Sequence, residues 1–487
     1  MSLLIKGADW IITLNPQGER IRGGDILVRG PAIAAIGAGA TLGSDAAGEL
    51  LEVIDARGLV VLPGFVNTHH HLYQVLTRGI PAVQDVPLFP WLTTLYEVWR
   101  EITPEAVGVA ARVGLGELLK TGCTTSADHH YVFPRGSASS WGQGGFIEAE
   151  IAAARELGIR FHPCRGSMSL GRSRGGLPPD EVVQEEEEIL RDCRRLADTY
   201  HDPGRYSMCR LSLAPCSPFS VTPELMQETV ALARELGLRC HTHLAETKEE
   251  EEYCREKFGC RPLEYMEKVG WLGSDVWFAH AIHLEDGEIG LLGERGAGVA
   301  HCPVSNMKLS SGACRVPDLL AAGVPVGLAV DGSASNDSSD MWGEIRAAYL
   351  LGKLVWGERG PTAEEVLRMA TVGGARVLGR DDIGYLGVGM AADMILLDME
   401  QLGFAGGKHD PVAALVNCGD SHIVDTTIVN GQVVVRQGRL VRVDEEEVAA
   451  EANRISQSML RAAAARTGID YWHPTASVRG EGHASRG

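Results

Sequence analysis

Three consecutive histidines, His69-His70-His71, close the segment Pro63-Gly64-Phe65-Val66-Asn67-Thr68, which follows an apolar run from Gly58 to Leu62. In an extended strand successive side chains alternate faces, so His69 and His71 project together and His70 projects away. Two imidazoles on one face at a strand end can share a metal ion, although a lone His-x-His pair is equally compatible with surface or core histidines. Further along, Cys240-His241-Thr242-His243 repeats the spacing, Glu246 follows three residues later, and His280, His301 and Asp331 each follow an apolar or small segment. Any one of these histidines reads as a core residue with a satisfied hydrogen bond. All of them at strand ends read as a metal site.

Imidazoles with one carboxylate make a borderline N/O donor set suited to Zn²⁺ or Fe²⁺, with zinc the expected ion. His69, His71 and His243 are assigned as imidazole ligands and Asp331 as the carboxylate ligand, leaving an open position for water. A divalent ion lowers the pKa of bound water toward about 7. Asp331 can also take a proton from the attacking water. Glu246 is placed to protonate a ring nitrogen and later a leaving amine, and His280 to hold the water or shuttle its proton.

The elements that must position these groups follow from the pattern of apolar residues. Strand-like stretches at 122–128, 160–164, 210–214, 239–244, 276–281, 298–302 and 326–330 alternate with amphipathic stretches at 91–100, 104–119, 146–157, 180–200 and 223–236. Such alternation predicts an α/β fold, a distorted (β/α)8 TIM barrel with its chemistry at the carboxyl ends of the strands. Short strands before residue 62 and again at 392–397 and 426–435, the last around an Asn430-Gly431 hairpin signal, predict a small β-sandwich built from both chain ends. The expected boundaries are 1–62 plus 385–445 for the sandwich, 63–384 for the barrel and 446–487 for a C-terminal helix and tail. Acidic runs at 185–188 and 249–252 read as solvated helix faces. Gly/Ser-rich loops at 135–145 and 171–179 are lid candidates, and the residues after Tyr471 read as loosely ordered.

Composition narrows the partners. A formal net charge of -19 over 487 residues argues against nucleic acid and anionic membrane surfaces, both of which demand basic patches. No apolar run reaches the roughly 18 residues a membrane span needs, and no basic segment followed by an apolar stretch opens the chain, so no secretory leader is expected. The 11 cysteines are scattered without a C-x-x-C pair, which fits reduced thiols in a cytoplasmic protein. A small substrate and a homo-oligomeric state are expected.

The segments 63–71, His243-Leu244-Ala245-Glu246, Ala279-His280, His301-Cys302-Pro303-Val304-Ser305-Asn306 and Asp331-Gly332 together resemble the amidohydrolase superfamily, in its cytosine/guanine deaminase and chlorohydrolase branch. The resemblance spans nearly the whole chain. It implies one metal held by a His-x-His pair, a strand-five His and a strand-eight Asp, with the Glu and the strand-six His carrying protons. The finer pattern of His71-Leu72-Tyr73-Gln74, Thr124–Tyr131, Arg165–Gly171 and Asp331–Asp337 is similar to 8-oxoguanine deaminases, and hydroxyatrazine ethylaminohydrolases and triazine hydrolases share much of it. That implies removal of an exocyclic amine from a purine-like or triazine ring.

Candidate substrate contacts are Gln74, whose amide both donates and accepts, Arg165, which can bind a ring oxygen, and Trp91, which can stack on a flat ring. His129 and Asn306 are weaker candidates, and His70 is expected to pack away from the metal. Two-metal members of the superfamily it resembles commonly use a carboxylated Lys at the end of a barrel strand to bridge the metals, and the strands that end in Ala127-Asp128-His129 and Cys164-Arg165 offer none. A non-catalytic barrel that only binds a ligand is the alternative of another class.

Overall fold

β-branched and aliphatic residues at the two chain ends have no face to bury alone, and they bury it against each other. In the computed structural model, which describes residues 2–38, 51–135, 145–418 and 424–474, the strand Ser2–Ile12 pairs antiparallel with Arg20–Arg29 and parallel with Leu51–Asp55 and Leu59–Pro63. Leu59–Pro63 in turn pairs antiparallel with Met394–Asp398, joining the first and last parts of the chain in a single sheet. The sheet continues through Thr426–Val429 and Gln432–Arg436, whose hairpin turns at Asn430 (φ 52°) and Gly431 (φ 77°). Positive φ at both central residues is the geometry that matches the twist of a two-residue hairpin. Ile5, Ile11, Ile26, Val28, Val61, Leu396 and Ile428 form the core of this sheet.

The barrel lies between those ends. Its strands are β1 (Phe65–Asn67), β2 (Cys123–His130), β3 (Arg160–Ser167), β4 (Ser212–Pro215), β5 (Arg239–Leu244), β6 (Val276–His280), β7 (Gly298–His301) and β8 (Val326–Leu328). They run parallel in that order. Closure comes at the seam, where Thr68 donates its N–H and hydroxyl to the Leu328 carbonyl at 3.1 and 3.0 Å and the Asp331 N–H reaches the His69 carbonyl at 3.2 Å. Small interior residues (Ala127, Cys164, Ala214, Ala300, Ala329) leave room for Trp277, which fills the barrel centre. Helices cover the outside. Thr103, Thr222 and Thr247 cap three of them, accepting a backbone N–H in the first turn. Among the described residues no helix is long and apolar enough to cross a membrane.

The run Gly58–Leu62 therefore belongs mostly to the terminal sheet, and the barrel begins only at Phe65. Gly64 is the crossing point between the two sheets. A Cβ there would sit 2.1 Å from the Thr124 side chain, so no larger residue lets the chain pass. Of the two lid candidates, residues 136–144 lie outside the described residues. The loop Gly171–Pro179 is tied down by Arg172 donating to Glu97 at 2.8 Å and Ser173 to Asp180 at 2.8 Å. The tail after residue 474 also lies outside the described residues.

Replacing Gly64 by Ala is expected to cost about 2 kcal/mol, in the range for overpacking a core. An unchanged midpoint in urea unfolding would mean that the crossing is not tight.

Candidate metal centre and active site

The carboxyl ends of β1, β2, β5, β6 and β8 converge on one point. Although β1 stops at Asn67, alternation persists: His70-His71 make a short bridge with Asp331-Gly332, His69 and His71 turn to the barrel mouth, and His70 turns out to Ser339 at 3.0 Å. His69 Nε2 and His71 Nε2 lie 3.3 and 3.4 Å from Asp331 Oδ1. His243 Nε2 lies 3.1 Å from His71 Nε2. His69, His71 and Asp331 are buried and His243 is half-buried, and desolvation pushes the three imidazoles below their usual range, His71 to about 3.

Which ring nitrogen carries the proton follows from the partners. The Trp277 carbonyl lies 3.0 Å from His241 Nδ1, so that nitrogen donates and His241 Nε2 accepts. His69 Nδ1 must then be the donor to His241 Nε2, at 2.7 Å. His71 Nδ1 donates to the His129 carbonyl at 2.7 Å, and His243 Nδ1 to the Cys216 carbonyl at 2.6 Å. Each Nδ1–H is thus engaged, and each Nε2 is left as a lone pair aimed at the others and at Asp331. His69 Nε2 is buried with no hydrogen-bond partner. Two lone pairs 3.1 Å apart repel unless a cation lies between them. The residues fit a divalent metal, with orienting partners in the pattern expected around metal-bound imidazoles.

Asp331 is built to stay ionised. Burial would raise it, but the imidazoles of His69, His280 and His71 around it bring it well below the usual carboxylate range. Its Oδ2 accepts from Ser305 at 2.6 Å and its Oδ1 from the Gly332 N–H at 2.7 Å. Glu246 Oε2 faces His280 Nε2 at 3.6 Å, and His280 Nε2 is 3.9 Å from Asp331 Oδ2. Asn306 Oδ1 accepts from His280 Nδ1 at 2.9 Å, so the Nε2 lone pair points at the site. Burial, and then the charge of Asp331, push Glu246 up to about 7.

Above this floor opens a cavity whose walls include Gln74, Trp91, Tyr96, Tyr131, Phe219 and Leu309. Gln74 reaches it over Gly332, where a Cβ would lie 1.9 Å from Gln74 Oε1. Trp91 presents an indole N–H that is buried without a partner.

The family model of the amidohydrolase family matches residues 60–434. The chain belongs to that family. It is 47% identical to 8-oxoguanine deaminase of Pseudomonas aeruginosa, over 89% of this chain and 94% of that one. It is 37% identical to hydroxydechloroatrazine ethylaminohydrolase of Pseudomonas sp. strain ADP, over 94% and 95% of the two chains. Among solved structures, atrazine chlorohydrolase from Arthrobacter aurescens TC1 complexed with zinc superposes with a TM-score of 0.87 at 34% identity, covering 93% of this chain and all of that one. This amidohydrolase is accordingly a metal-dependent hydrolase acting on C–N bonds, with the (β/α)8 barrel read from its sequence.

The structure brings His69, His71, His243, Glu246, His280 and Asp331 together, with Gln74 and Trp91 on the cavity wall. It does not bring Arg165 there. Cys164 faces the barrel interior, so Arg165 faces outward, where it pairs with Asp192 at 3.0 Å, Gln184 at 2.9 Å and the face of Phe133. His301 is buried at the end of β7 but is not among the residues around the cavity. Three residues with orienting roles were given none in the sequence. His241 shares a face with His243, which alternation alone would have shown. His129 stacks on His243 at 4.9 Å. Glu250, read as part of a solvated acidic face, is buried and accepts the N–H groups of Ala245 and Glu246.

Replacing His241 by Phe keeps the ring and removes the acceptor that fixes His69. Metal affinity is expected to fall roughly 10–100-fold, measured by competition with a chromogenic chelator. Asp331→Ala is expected to retain no metal after dialysis, and full metal content would remove Asp331 from the ligand set.

Proposed function

We propose that this amidohydrolase is a zinc enzyme that removes the exocyclic amine of 8-oxoguanine, giving urate and ammonia. The observation that carries the reading is one cavity in which Glu246 and His280 face each other 3.6 Å apart beside Asp331, under walls that include Trp91, Tyr96, Tyr131 and Phe219. Aromatic walls suit a flat ring. Among the described residues no Lys or Arg borders the cavity, which disfavours a phosphorylated substrate. The choice of ring follows the 47% identity to the Pseudomonas aeruginosa deaminase. Zinc is supported by the imidazoles of His69, His71 and His243 gathered with the Asp331 carboxylate and by the zinc in the superposed chlorohydrolase. All 11 cysteines are free, in keeping with a cytoplasmic enzyme.

His69, His71, His243 and Asp331 would hold a zinc ion, which would supply the positive charge that makes water nucleophilic near neutral pH. The remaining work falls to side chains. Water oxygen adds to the ring carbon that bears the amine. Glu246 takes a proton from that water and delivers it to the adjacent ring nitrogen. His280, with Nδ1–H fixed on Asn306, keeps its Nε2 lone pair toward the water and holds it in line. The remaining hydroxyl proton passes by way of Asp331 and Glu246 to the amine. The C–N bond breaks, a carbonyl forms and ammonia leaves. Gln74 offers both a donor and an acceptor to ring heteroatoms, and Trp91 stacks on the ring while its indole N–H seeks an acceptor.

Glu246→Gln is expected to keep about one equivalent of zinc and lose roughly 10²–10⁴ in turnover, the usual contribution of a proton carrier. A normal deamination rate in that variant would leave Glu246 without the role. An ammonia-release screen across purines, pterins and aminotriazines is expected to rank 8-oxoguanine first. A faster hydroxytriazine, guanine or isoxanthopterin would move the substrate. Ligand binding without turnover by a folded, metal-free protein would overturn the enzyme reading.

A further inference from the structure

We infer that Glu250 is a positioning residue for Glu246, holding the backbone of the proton carrier at the mouth of the barrel. The inference rests on the role proposed for Glu246. Glu250 is the third residue of the helix Lys248–Phe258, one turn past the end of β5. Its neighbours Glu249 and Glu252 are exposed, but its own side chain turns back into the protein and is 1% exposed. Oε1 accepts the Ala245 N–H at 2.9 Å and Oε2 accepts the Glu246 N–H at 3.0 Å.

Two consecutive backbone N–H groups aimed at one carboxylate form a cradle that a single turn conformation provides. That turn is unusual. Ala245 sits at φ 51°, a region that residues with a Cβ seldom adopt, so the turn needs an anchor to persist. Thr247 caps the same helix by accepting the Glu250 N–H at 3.4 Å, fixing the helix start from which Glu250 reaches back. The turn is also tied to the other half of the proton-transfer pair. The Ala245 carbonyl accepts the N–H groups of Ile282 and His283 at 3.0 and 2.9 Å, directly after His280. Ser311 contributes a hydroxyl 3.3 Å from Glu246 Oε1, so the carboxylate is oriented from its head as well as from its backbone. Glu250 thus reaches the chemistry through one connected path, and nothing in the path includes a metal ligand side chain.

The test uses the zinc-loaded full chain with whichever heterocycle releases ammonia in the screen. Glu250→Ala is expected to lower kcat roughly 10²-fold, as small misplacements of a reacting group do, with zinc content and KM little changed. Glu250→Gln keeps the shape and one acceptor oxygen, and is expected to fall between. In the Glu246→Gln background the Glu250→Ala change is expected to add almost nothing, because the group it positions is already gone. Hydrogen exchange gives a reading independent of turnover: amides 245 and 246 are expected to exchange faster in both Glu250 variants while the rest of β5 is unchanged. Equal kcat losses in both backgrounds would make Glu250 a general structural residue and overturn the inference. Wild-type kcat and exchange in Glu250→Gln would overturn it even if Glu250→Ala fails to fold. A Glu246→Gln variant at full rate would overturn the role of Glu246 and this inference together, whereas a slow Glu246→Gln with additive losses overturns this inference alone.

Discussion

Three imidazole lone pairs and a carboxylate face one another at separations of 3.1 to 3.4 Å, and that crowding is the constraint the rest of the molecule serves. Neutral imidazoles tolerate burial, but lone pairs facing each other across 3.1 Å do not tolerate an empty centre. The arrangement is held apart from the centre by three Nδ1–H bonds, two to barrel carbonyls (His129 and Cys216) and one through His241 to the carbonyl of Trp277. These acceptors sit on or next to β2, β4 and β6, while the three imidazoles follow β1 or lie on β5. None of the three imidazoles is oriented by its own strand. The donor set therefore exists only when neighbouring strands are in register, so metal affinity and barrel integrity are linked free energies.

Register at the seam matters most, because His69 and Asp331 come from opposite ends of the barrel sequence. Thr68, His69 and Asp331 exchange backbone hydrogen bonds across that seam. The terminal sheet strengthens it from outside: Leu59–Pro63 is clamped by Met394–Asp398, and the chain passes through Gly64 directly into β1. A buried ion pair adds to the clamp at the other end of the barrel, where Arg160 at the start of β3 meets Asp393 at 3.0 Å. Chemistry occupies the carboxyl ends of the strands, and structural pairing occupies the amino ends.

Sequence pattern made the convergence of these side chains legible because strands end where apolar runs stop, and polar residues at those stops are few. His69, His71, His243, His280 and Asp331 were all readable on that ground. The alternating barrel was readable for the same reason, since a parallel strand covered on both faces leaves a continuous apolar run. Arg165 falls outside the site by the same alternation: Cys164 is a small residue suited to the barrel interior, and its neighbour must face the helices. Glu250 was not legible. Four consecutive acids give no periodic signal, and the one that turns inward is selected by where the helix begins and by the positive φ of Ala245, neither of which composition encodes.

The strand exits carry a pattern of their own. Ala245 after β5, His280 at the end of β6 and Asp331 after β8 all adopt positive φ, at 51°, 71° and 61°. A left-handed residue ends a strand abruptly and swings the following side chain back over the barrel mouth, where an ordinary loop would carry it outward. Each such residue costs of order 1–3 kcal/mol, so the arrangement survives only because bonds around it over-determine the geometry. Asp331 has Ser305 and the Gly332 N–H on its two oxygens, His280 has Asn306, and the Ala245 turn has Glu250. Every strained exit is thus matched by a buried polar anchor one element away. Strain supplies the aim and the anchors supply the rigidity, which is why the groups proposed to move protons sit in fixed positions before any substrate enters.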